Sequence, residues 1–142
     1  MNTNYQLFVY GTLRKGFEHP AFEFVSRYFS FVGHGRTKGL VYDLGEYPAA
    51  IPGTDDKYIV GEVYAIKEQD EFSYAIAQLD DYEGINQEDG VSLYRREMAT
   101  IEMEEGNIQT WMYWYNGSVE GYPLVESGDV LLEYLKQKEQ SA

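Results

Sequence analysis

Two stretches of this chain hold residue types that can do chemistry together. The first is Tyr10-Gly11-Thr12-Leu13, at the end of a short apolar run. Gly11 lets the chain turn sharply after a strand. The successive N–H groups that follow can then point at one spot and hold a carboxylate or an oxyanion. The stretch is not a P-loop, since GxxxxGK[ST] is absent. The second is Leu79-Asp80-Asp81-Tyr82-Glu83-Gly84, with Glu83 at the C-terminal end of an expected helix. The negative end of the helix dipole and the charges of Asp80 and Asp81 disfavour ionisation of Glu83. A carboxyl group held near neutrality in this way is a good proton shuttle. Taken apart, the two stretches read more simply as a strand-ending turn and a solvated acidic helix end.

Other chemistries find less support. The chain has no cysteine, hence no thiolate nucleophile, no disulfide framework and no Cys-ligated zinc. His19 and His34 do not fall at metal-ligand spacing. His34 lies between two glycines in a strand region and reads as structural. His19 follows the Gly11 loop, where packing or capping of a helix start is its simpler role. No serine lies in a G-x-S-x-G elbow.

The elements that must position these residues can be read from pattern. Tyr5 to Tyr10 reads as a short buried strand ended by Gly11. Pro20 suits a first helical turn, and Phe22, Val25 and Phe29 give that helix an apolar side. Phe31 to Leu44 returns to strand, with glycines at 33, 35 and 39 that mark bulges or tight bends. Tyr47 to Ile51 is a turn leading into a short extended piece, and Tyr58 to Ile66 alternates as a strand. Asp70 is the expected N-cap of a helix whose Phe72, Ile76 and Leu79 share one face, with Gly84 as its stop. Strands over Leu93 to Met103 and Ile108 to Tyr115 form a hairpin through Glu104-Glu105-Gly106-Asn107. Ser127 is the expected cap of a last helix. Arg95 and Arg96 point to opposite faces of their strand, so one should face solvent and the other an acidic partner. The sum is an α+β domain over residues 1–142 whose glycine-marked bends favour a closed or nearly closed barrel.

The net charge of -13 argues against a nucleic-acid partner and against an anionic membrane surface. No apolar run nears the roughly 20 residues needed to span a bilayer. The start MNTNYQ lacks a signal-peptide pattern, so the expected location is cytoplasmic. Fourteen tyrosines fit half-buried strands.

Read together, the pieces resemble one family. Val9-Tyr10-Gly11-Thr12-Leu13-Arg14-Lys15-Gly16 is similar to the opening of the gamma-glutamyl cyclotransferases, also called AIG2-like. Four further segments resemble it in the same order: residues 39–49, Gly61-Glu62-Val63-Tyr64, Leu79 to Gly84, and Tyr94-Arg95-Arg96. The resemblance implies a small mixed β-barrel flanked by helices. It implies a reaction in which the α-amine of a gamma-glutamyl compound attacks its own γ-carbonyl, giving 5-oxoproline and a free amine. Glu83 matches the catalytic acid of the family, and Tyr10, Gly11, Thr12 and Leu13 match its substrate-binding loop. The implied partner is a small gamma-glutamyl molecule, and neither metal nor organic cofactor is required. Many relatives carry Asn-His near the helix start where this chain has Glu18-His19, which leaves the identity of the amine open. The other reading is a barrel that binds a small amino-acid-like ligand without catalysis.

Overall fold

The computed structural model describes residues 5–11, 20–45, 48–53, 56–82 and 94–140. Among them run β1 (Gln6–Val9), α1 (Pro20–Tyr28), β2 (Phe29–Asp43), β3 (Pro48–Pro52), β4 (Tyr58–Ile66), α2 (Phe72–Tyr82), β5 (Tyr94–Met103), β6 (Gly106–Tyr115) and α3 (Val130–Gln140). The strands lie in the order β3-β2-β4-β1-β6-β5, and a further β2–β5 pairing closes five of them into a barrel. The barrel is mixed: β1 runs parallel to β6, and the other neighbours are antiparallel.

Strand β2 makes this closure possible. It pairs with β4 from Phe29 to Lys38, touches β5 at Gly35 and Arg36, and then leaves the barrel to pair with β3 from Gly39 onward. A register shift between Phe31 and Gly33 marks a bulge. At Gly39 a Cβ atom would come within 2.7 Å of the Ile59 Cδ1 and 2.8 Å of the Ile51 carbonyl oxygen. Only a residue without a side chain lets the strand change partners there.

Alternation along each strand sorts the apolar residues into two cores. Phe8, Tyr10, Ile59, Val63, Ile101, Met112 and Trp114 belong to one cluster. Leu7, Val9, Tyr64 and Tyr113, from alternate positions of the same strands, pack with Val25 of α1 and with Ala75, Ile76 and Leu79 of α2. A fully buried Leu or Phe contributes about 1.5–3 kcal/mol, so α1 and α2 are held mainly by this second cluster, whereas Val130 of α3 packs against the first.

Two helix starts differ from expectation. Gln69–Glu71 forms a single 3-10 turn ahead of α2, so Asp70 lies inside that turn and does not cap the helix. The cap of α3 is Asp129, whose Oδ1 accepts the Leu132 N–H at 3.0 Å. Ser127 Oγ instead accepts the Asp129 N–H at 3.1 Å and donates to Glu133. The α1 helix ends at Tyr28, and Phe29, 1% exposed, opens β2. No described helix is long and apolar enough to cross a membrane.

Candidate active site at the end of strand β1

Strand β1 delivers Tyr10 and Gly11 to one end of the barrel. Tyr10 is buried, and its hydroxyl donates to the Tyr113 carbonyl at 2.8 Å. This bond ties the end of β1 to its parallel neighbour β6. A Cβ on Gly11 would stand 3.0 Å from the Pro48 Cγ, so the turn passes close beside the start of β3. The Pro48 carbonyl accepts the Tyr94 hydroxyl at 2.6 Å. The Gly11 turn is therefore set by Tyr113 on one side and by Pro48 and Tyr94 on the other.

The last turn of α2 docks on the same strands. Asp80 is buried, one position past Leu79 on the helix face that packs inward. Arg96 donates to both of its oxygens, Nε to Oδ1 at 2.7 Å and Nη2 to Oδ2 at 3.0 Å. The Tyr113 hydroxyl donates to Oδ1 at 2.8 Å. The guanidinium also lies 4.6 Å from the centre of the Trp111 ring, a favourable cation–π distance. The hydrogen bond to Asp80 raises the Arg96 pKa above its ordinary value, against the opposing effect of burial. Arg95 takes the other face, pairing with Glu97 at 2.7 Å and reaching the Tyr115 carbonyl at 3.3 Å.

Tyr113 thus joins the two stretches singled out by sequence. Its carbonyl holds Tyr10 and its hydroxyl holds Asp80. Of the expected site residues, Tyr10 and Gly11 are described and stand together at this end. Thr12, Leu13 and Glu83 lie outside the described residues, as do His19 and Gly84. The electrostatic expectation for Asp80 changes. Its charge is compensated by Arg96, while Asp81 beside it is exposed. Sequence reading assigned no partner to Asp80 and no role to Tyr113. The available signal was a carboxylate next to Leu79 on the apolar helix face, together with an arginine on a neighbouring strand. Among the described residues, no group of three or more His, Cys, Asp or Glu side chains is arranged to hold a metal ion.

The family model described as gamma-glutamyl cyclotransferase, AIG2-like, matches residues 7–132. The chain belongs to this family. MJ1514 of Methanocaldococcus jannaschii is 35% identical over 126 residues, covering 87% of this chain and 92% of that one. The solution structure of ytfP from Escherichia coli superposes with a TM-score of 0.62 at 30% identity, covering 91% of this chain and 98% of that one. The crystal structure of YkqA from Bacillus subtilis gives a TM-score of 0.73 at 26% identity. That match covers 96% of this chain but 43% of YkqA, so the chain spans less than half of that protein.

Proposed function

We propose that this chain is an intramolecular cyclotransferase that converts a gamma-glutamyl amine or gamma-glutamyl amino acid to 5-oxoproline and the free amine. The observation that carries the reading, beside family membership, is the double role of Tyr113. One residue fixes both the turn at Gly11 and the helix end at Asp80, three positions before Glu83.

In this mechanism the nucleophile belongs to the substrate. Glu83 takes a proton from the α-ammonium, and the freed amine attacks the γ-carbonyl of the same molecule. The C–N bond to the amine then breaks as Glu83 returns the proton to the departing nitrogen, and the second proton of the attacking amine passes to solvent, leaving the lactam N–H. The N–H groups of the Gly11–Leu13 stretch hold the α-carboxylate or the developing oxyanion, with Tyr10 fixing the turn. Because amine and carbonyl share one molecule, the protein contributes mainly by holding them in a reactive conformation. Neither metal nor organic cofactor enters these steps.

The test is 5-oxoproline release from a panel of gamma-glutamyl amines and amino acids. Turnover of at least one supports the reading. Binding of such compounds with no release from any would leave a ligand-binding barrel in its place.

A further inference from the structure

We propose that Tyr94 is a positioning residue for the candidate active site, acting through Pro48 on the turn at Gly11; this rests on the cyclotransferase reading above. Glycine allows the sharp turn, but it also has the widest backbone freedom of any residue. N–H groups that must aim at one spot therefore need the turn to be held from outside. The ring of Pro48 stands where it can do this. It lies so close to Gly11 that an added Cβ would meet its Cγ at 3.0 Å.

The ladder between β2 and β3 does not hold Pro48. Strand β3 is the last in the strand order, and Pro48 opens it opposite Asp43. Asp43 gives its N–H to the Pro123 carbonyl at 2.9 Å, and the Val41 carbonyl accepts the Val125 N–H at 2.8 Å. The N–H and C=O of one strand residue point to the same side, so Asp43 turns both away from β3. Asp43 and Pro48 are then a non-hydrogen-bonded pair, and Pro48 has no N–H to donate. The Pro48 carbonyl points away from β2 and takes its donor from β5, the Tyr94 hydroxyl at 2.6 Å.

Tyr94 is itself firmly seated. It is 5% exposed, belongs to the buried cluster that holds Val9 and Tyr113, and meets the Tyr115 ring edge-on at 5.6 Å. Tyr94 and Arg96 are two residues apart and share one face of β5, opposite Tyr115 and Tyr113 of β6. That face fastens Pro48 beside Gly11 and Asp80 at the end of α2.

The experiment is a double-mutant cycle. Tyr94→Phe keeps the packed ring and removes the donor. Pro48→Ala keeps the carbonyl and removes the ring that meets Gly11. Thermal unfolding fixes a temperature at which both variants and their combination are folded. On a gamma-glutamyl substrate that wild type turns over, each single variant should lower kcat/KM by about tenfold or more, since a misplacement near 1 Å costs about 100-fold. The double variant should lose no more than the worse single, because both changes act on one contact. Unchanged kcat/KM in either folded single variant overturns the proposal. So do losses that multiply in the double variant, since Tyr94 would then act by a route other than Pro48. The second readout is the 15N order parameter of the Gly11 amide. It should be about 0.85 in wild type and fall toward about 0.6 in both single variants. A Gly11 amide that is already loose in wild type, or equally rigid in Tyr94→Phe, overturns the proposal. If wild type releases 5-oxoproline from no gamma-glutamyl compound, the cyclotransferase reading fails, and the Gly11 order parameters alone decide whether Tyr94 positions the turn.

Discussion

Asp80 of α2 and Arg96 of β5 form a two-pronged ion pair at 2.7 Å and 3.0 Å, across 16 residues of sequence. The Asp80 side chain is 9% exposed and that of Arg96 is 23% exposed. Removing one member of a buried pair typically costs about 3–5 kcal/mol because the other charge is stranded. Water reaches part of Arg96, so Asp80→Asn should cost roughly 2–4 kcal/mol in urea denaturation. Arg96→Lys keeps the charge but loses the fork and the planar contact with Trp111, and should cost less. If the pair also positions Glu83, Arg96→Lys lowers kcat more than it raises KM. A proportional loss in folded protein alone would reduce the pair to a structural role.

Glu83→Gln should keep the fold and lose turnover. Glutamine has nearly the same shape but cannot accept the α-ammonium proton, so the amine stays protonated. General acid–base catalysis contributes about 10²–10⁴-fold, which sets the expected loss in kcat at about 100-fold or more. Substrate affinity should survive, because the Gly11–Leu13 amides are untouched. The check is thermal unfolding, ligand binding and 5-oxoproline release measured together. Unchanged turnover would move the catalytic role elsewhere.

Gly39→Ala tests the point where β2 changes partners. The added methyl would meet the Ile51 carbonyl oxygen at 2.8 Å, a backbone atom that cannot swing aside. Overpacking of this kind costs about 1–3 kcal/mol. The expected result is a lower urea midpoint with an unchanged slope. A variant as stable as wild type would show that the barrel can shift there.

At α3, Asp129→Ala should cost about 0.5–2 kcal/mol, the usual value of an N-cap. Ser127→Ala loses exposed bonds around the cap and should stay within about 0.5 kcal/mol. The reverse order in urea denaturation would make Ser127 the controlling residue.

Much of this protein was legible in its local sequence. The alternation from Tyr58 to Ile66 is β4, and the periodicity of Phe72, Ile76 and Leu79 is α2. The glycines at 33, 35 and 39 do fall at a bulge, a closure contact and a change of partner. Such signals survive because side-chain period and glycine's missing Cβ act within a few residues. The helix starts were less legible: a 3-10 turn absorbed Asp70, and Asp129 took the capping bond from Ser127. Serine and aspartate are comparable caps, and the choice between neighbours depends on how the preceding loop is held. Only the tertiary structure decided that Asp80 belongs to Arg96 and Tyr113, and that Tyr113 also holds Tyr10. It likewise set Glu62 beside Tyr64 in an aromatic cleft. These relations depend on the register between strands distant in sequence, and a slip of one residue would turn each side chain to the opposite face.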